Sequence, residues 1–165
     1  MIIDLSLRTV SLALLTAALV SGAGACEGAC EEDIRAQTLD ERQLITIEAA
    51  GESIELSAEV ARSQTERERG WKHRQCDMQG LALALEAPGE SPVWMCGLST
   101  ALDVLFVRDG ELVAIERAAP PCEEPCAACP VYGEGVTVDF VLELPHGQYP
   151  EEVLVVGASV SGLDR

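Results

Sequence analysis

Asp103 enters an unbroken apolar run, Val104-Leu105-Phe106-Val107, nine residues after the pair Trp94-Met95. A carboxylate at the mouth of such a strand is costly to bury unless it is hydrogen-bonded or neutralised, so Asp103 is the first candidate for chemistry. Two roles fit it: an acid or general base facing a ligand, or a carboxylate that accepts backbone N–H groups in the turn before the strand. Trp94, Tyr132 and Glu143 are the side chains that would complete a ligand site around it. Each also has a plainer reading. Trp94 and Met95 must alternate across a strand, so at most one of them faces the core, and an aromatic in a chain with so few commonly packs inside. Tyr132 reads first as a packed phenol, and Glu143 as an exposed strand position. His73 and His146 stand without a serine or cysteine partner at a telling spacing and read as surface or loop residues.

The cysteines form the second chemical pattern. The chain has seven, and Cys122-x3-Cys126-x2-Cys129 resembles the spacing with which radical S-adenosylmethionine enzymes hold an iron–sulfur cluster. The chain is too short for the barrel of those enzymes and carries no companion motif. Zinc would need a fourth ligand from Cys76, Cys96, His73 or His146, none at a recognisable spacing. Cys126-Ala127-Ala128-Cys129 has the thioredoxin spacing, but no strand precedes it and no helix follows to lower a thiol pKa. Disulfides are therefore expected for Cys76, Cys96, Cys122, Cys126 and Cys129, closing a loop rich in proline. No cofactor and no metal site is expected.

Disulfides agree with the start of the sequence. Residues 10–20 form an apolar run too short to span a bilayer as a helix. Small residues follow, Ser21 to Ala25, directly before Cys26, as at a signal-peptide cleavage site. Residues 1–25 read as an export signal. Small residues before a cysteine also resemble a bacterial lipobox, with Ala23 where leucine is usual, so Cys26 is either acylated or disulfide-bonded. An extracytoplasmic location follows: secreted, periplasmic or lipid-anchored at the cell envelope. The formal net charge is -17 and Lys72 is the one lysine. Such a surface repels nucleic-acid phosphates and anionic headgroups, which leaves a small molecule or an envelope protein as partner, with membrane contact only through a lipid on Cys26.

The elements that must position these residues are short. Residues 26–43 are acidic and lack apolar periodicity, as in a tether, and a single domain is expected over residues 44–165. Strands are expected at 44–47 and 54–60 around a turn at Gly51, at 80–85 and 93–96 around Pro88-Gly89, and at 136–144 and 153–160. Asp109-Gly110 joins 103–108 to 111–116 as a tight hairpin. One helix is expected at 63–69, where Ser63 and Glu66 form a capping box and Gly70 supplies the stop. Many short strands with one short helix predict a mainly β fold, a compact disulfide-stabilised sandwich or barrel-like sheet.

Five anchors in chain order carry a family resemblance. They are Glu66-Arg67 with Gly70 and Arg74, then Gly80-Leu81-x-Leu83, Trp94-Met95, Leu102 to Val107, and Leu142-Glu143-Leu144-Pro145-x-Gly147. Over roughly residues 54–160 they resemble the exported proteins called domain of unknown function 192 (DUF192). The resemblance implies a fold but no settled activity. Relatives usually carry Lys-Asn-Thr after Trp-Met and a proline before Leu-Asp; this chain has Cys96, Gly97, Leu98 and Ala101 there. Because Cys76 and Cys96 replace other residues of the family pattern on segments flanking one hairpin, the comparison implies that they pair. Losing the polar triplet favours a non-enzymatic domain binding a ligand or partner around Trp94, Asp103 and Tyr132. The alternative is a hydrolase-like or transferase-like enzyme with Asp103 as acid or base.

Overall fold

The strands of this protein must bury apolar side chains on both faces, and the computed structural model shows how. It describes residues 33–76, 79–123 and 125–164, so the expected leader and Cys26 lie outside the described residues. Nine strands occur among them: β1 (Arg42–Ala49), β2 (Glu52–Ala61), β3 (Gly80–Glu90), β4 (Val93–Trp94), β5 (Leu102–Arg108), β6 (Glu111–Ala119), β7 (Val131–Tyr132), β8 (Thr137–Pro145) and β9 (Ser159–Ser161). Seven close into a barrel in the order β1-β2-β3-β8-β5-β6-β9, while β4 and β7 pair as a separate ribbon. The fold is mainly β and barrel-like, with one α-helix among the described residues, α1 (Gln64–Arg69).

The barrel neighbours are antiparallel except β2 and β3, which run parallel. A parallel pair needs a crossover connection, and α1 with the segment after it supplies one. Ser63 caps the helix through the expected box: its hydroxyl accepts from the Glu66 N–H at 3.2 Å and its own N–H donates to Glu66 Oε2 at 2.8 Å. Gly70 ends the helix at φ +48°. The two tight turns form as their residues require: Ala50-Gly51 and Asp109-Gly110 all have positive φ, which suits two-residue hairpins.

Two apolar cores result. The barrel interior holds Ile45, Leu56, Leu105, Phe140, Leu142 and Leu144 with their neighbours. A second core lies outside the wall, where Leu81, Leu83, Val104, Phe106 and Val141 meet Trp71, Val93 and Met95. Strand β8 serves both and is buried from Val138 to Leu144. Packing begins before Leu44: Gln37 is buried, its amide donating to the Glu66 and Gly70 carbonyls at 2.9 Å, and the Leu39 N–H donates to Glu59.

Three expectations need correction. Pro88-Gly89 is no turn between strands. It lies within β3, where the pairing with β8 slips between Ala84 and Gly89, because a bulge absorbs residues that cannot stay in register. The strand expected over 153–160 shrinks to β9, since Val153, Val155 and Ala158 hydrogen-bond back into local turns after Pro150. Cys76 does not pair with Cys96. Cys96 is bonded to Cys126 and Cys122 to Cys129, while Cys76 is disulfide-bonded elsewhere. The reason is steric reach: a parallel bridge sets Cys96 against Cys122, bringing the 120–130 loop beneath β4, with Cα atoms of Cys96 and Cys126 5.3 Å apart.

Candidate functional site

Strand period and register decide which polar side chains can meet. On adjacent strands β5 and β8, Asp103 lies opposite Leu144 and Glu143 opposite Val104. Residues directly opposite share a face. Leu144 belongs to the interior core and Val104 to the outer one, so Asp103 and Glu143 point to opposite sides of the wall. A site that joins them is excluded by the pleat.

Asp103 is buried and its carboxylate is satisfied. Oδ1 accepts the Ala118 N–H at 2.9 Å and lies 2.9 Å from His146 Nδ1. The β5–β6 pairing explains the first contact. Between Leu102 and Val104 the partner strand fits one extra residue, Ala118 has φ +51°, and the bulged N–H loses its ladder acceptor. The carboxylate replaces that acceptor. The second contact was not legible from spacing: His146 follows Pro145, the partner of Leu102, and its N–H donates to the Ala101 carbonyl, which folds the ring back onto Asp103. The backbone-accepting role is thus the one its geometry supplies.

A cleft of about 380 Å³ opens on the other face of the wall, between α1 and β4. Its apolar lining includes Trp71, Leu83, Val93, Trp94 and Leu98. Its charged lining is Arg67, Glu68, Arg69, Lys72, Glu90 and Glu143. Trp94 and Glu143 therefore meet in one cleft, whereas Asp103 and Tyr132 are not among its lining residues. Tyr132 stands behind it, opposite Val93 in the β4–β7 ribbon and packed against the outer core. Met95 is buried and Trp94 is 37% exposed, so of the two it is Met95 that faces the core. Lys72 Nζ lies 5.5 Å from the centroid of the Trp94 ring, within cation–π range.

Glu143 corrects the expectation of an exposed strand position. Alternation puts it on the face opposite Leu142 and Leu144, but that face is covered by the α1 segment and only 3% of the residue is exposed. Its Oε2 is buried without a hydrogen-bond partner. Burial pushes the carboxyl up to about 7 from 4.5, against the charge of Arg74, which favours the ionised form. Arg74 is itself buried and bonded to Glu59 Oε2 at 2.7 Å, while Arg42 holds the other Glu59 oxygen at 2.8 Å. Gly70 packs beside the carboxyl, where a Cβ would make ordinary contact at 3.7 Å from Glu143 Oε2. The family-like anchors Arg67, Gly70, Trp94 and Glu143 thus converge. Lys72 and Trp71 carried no signal in the sequence beyond their proximity to Gly70. Among the described residues, no group of three or more His, Cys, Asp or Glu is placed to hold a metal ion.

Glu143 sets a pH dependence whose sign is fixed. A carboxyl raised in the folded state binds its proton more tightly there than in the unfolded chain, so stability falls as pH rises from 4.5 to about 7 and stays reduced above. Glu143→Gln removes this term. The variant is expected to be more stable than the parent at pH 8, by about 3 kcal/mol at most, with the gain vanishing near pH 4.5; paired denaturant titrations at the two pH values measure it. Asp103→Ala, which strips an acceptor from a bulge N–H, is expected to cost about 1–3 kcal/mol, and Asp103→Asn distinctly less, read by the same titrations at pH 7.

The barrel resembles solved structures. One, from Sinorhizobium meliloti 1021 and described as a "putative transcription regulator", superposes with a TM-score of 0.66 at 25% identity, covering 76% of this chain and 97% of that one. Another, a protein of unknown function from Novosphingobium aromaticivorans DSM 12444, gives a TM-score of 0.61 at 22% identity, covering 72% and 83%; at that identity the likeness is one of fold alone. No curated protein matches. The family model described as "Uncharacterized ACR" matches residues 45–162, from the first barrel strand to just past the last. The chain belongs to the DUF192 family.

Proposed function

We propose that this protein is an extracytoplasmic binding domain rather than an enzyme, and that a small ligand enters the cleft between α1 and β4. The observation that carries this reading is Glu143: a carboxyl buried at the wall of an open cleft, with one oxygen unpartnered, held where it lowers the stability of the empty fold. Groups retained at such a cost mark sites of function more often than of structure. A cleft of about 380 Å³ with an apolar lining and a few convergent polar groups suits a small molecule.

The enzyme alternative loses its acid. Asp103 is occupied by Ala118 N–H and His146, on the other face of the wall from the cleft. Where relatives carry Lys-Asn-Thr, this chain has Cys96 in a disulfide, Gly97 in the positive-φ region and Leu98 as cleft lining. Disulfides between Cys96 and Cys126 and between Cys122 and Cys129 support maturation in an oxidising compartment, in line with the leader read in the sequence. The name carried by the Sinorhizobium neighbour has little purchase here, since a net charge of -17 repels a polyphosphate backbone.

A thermal-shift screen of small molecules at pH 7 tests the proposal on the parent, Glu143→Gln and Asp103→Asn. Compounds that raise the parent Tm are expected to lose most of their effect in Glu143→Gln and keep it in Asp103→Asn. Hits that survive Glu143→Gln and vanish in Asp103→Asn would move the site to the other face of the wall and revive the enzyme reading.

A further inference from the structure

We infer that the ligand of this cleft is an uncharged polyhydroxylated molecule, a saccharide, with an apolar ring face on Trp94 and a hydroxyl donating to Glu143. The inference rests on the cleft reading above and narrows it to one chemical class.

The unpartnered Oε2 of Glu143 asks for a hydrogen-bond donor. An ionised carboxylate or phosphate has none to offer and would set one anion against another. An ammonium would satisfy Glu143 but would have to approach Trp94 where the Lys72 ammonium already lies 5.5 Å from the ring centroid. A hydroxyl meets neither objection. It also suits both forms of a carboxyl that titrates at about 7, donating to the carboxylate and accepting from the acid.

The lining selects no sign of charge. Arg67, Arg69 and Lys72 stand against Glu68, Glu90 and Glu143 in a chain whose overall charge is -17. Local balance in so acidic a molecule presents donors and acceptors side by side, the pairing that vicinal hydroxyls use because each both donates and accepts. Arg67 is held by the carbonyls of Arg62 and Ala84, so its guanidinium is fixed as part of the wall. The flat apolar partner is Trp94, exposed on a β4 that pairs with β7 and is followed by the Cys96–Cys126 disulfide. A sugar ring, with C–H bonds on one face and hydroxyls at its edge, matches an indole beside a carboxyl. The cleft volume lies toward the lower end of the range for small-molecule sites, room for one or two such rings.

The test uses the full disulfide-intact protein, titrated by nitrogen-15 NMR with three sets of probes. These are neutral sugars (glucose, galactose, mannose, N-acetylglucosamine, maltose and cellobiose), choline as a cation, and succinate as an anion. At least one sugar is expected to bind with saturable shifts at Gly70, Lys72 and Trp94, at least tenfold more weakly in Trp94→Ala, with much of the loss recovered in Trp94→Phe. Saturable shifts at those residues from choline or succinate, with none from any sugar, overturn the saccharide class and leave the cleft standing. A sugar that binds elsewhere, or equally well in Trp94→Ala, overturns the inference. No shift at those residues from any probe counts against the class, and the thermal-shift screen then shows separately whether the cleft binds at all.

Discussion

The structure depends on one constraint: a barrel wall apolar on both sides must be covered on the outside as well as filled within. β5 is buried from Leu102 to Val107 and β8 from Val138 to Leu144, with no alternate face left for water. Left bare, the outer face of β3, β5 and β8 would be an apolar patch in contact with solvent. The chain covers it with the crossover that a parallel β2–β3 pair already requires, and with the β4–β7 ribbon. The cleft is the seam between these two covers, and Glu143 is the buried wall residue that lines it.

Both covers are too short to hold themselves. A helix of six residues is far below the length that is stable alone, and a ribbon of two residues per strand has almost no ladder. Each is fixed from its ends. The helix has the Ser63–Glu66 box at one end and the Gln37 amide on its last carbonyls at the other. The ribbon is tied by the Cys96–Cys126 and Cys122–Cys129 disulfides and by the Cys122 N–H donating to the Met95 carbonyl. Cys96 therefore supplies support: its disulfide bolts down the strand that presents Trp94.

Local signals in the sequence were legible because their causes are local. The Ser63 box, the Gly70 stop and the Asp109-Gly110 hairpin follow from side-chain and backbone preferences within a few residues. The ordered anchors identified the family, and the mainly β class followed from strand count. Long-range consequences were less legible. Alternation gives Glu143 the face opposite Leu142, but whether that face meets water depends on α1, some eighty residues earlier in the chain. Asp103 showed the reverse: an apolar run made it look chemical, while its use depends on a bulge in β6 and a histidine in a following turn. Disulfide pairing is not legible locally for the same reason, since the contact of Cys96 with the 120–130 loop is set by tertiary packing.

The reading of this site stands on a carboxyl kept buried and unpartnered in the ligand-free protein. Carbon-13 NMR of labelled glutamate side chains, with the Glu143 signal assigned by its loss in Glu143→Gln, reports that state directly as a function of pH. The structure predicts a titration midpoint of about 7 in the free protein. A midpoint at or below the ordinary glutamate value would mean that Glu143 is solvated or paired, and the case for a ligand site at the seam would fall with it.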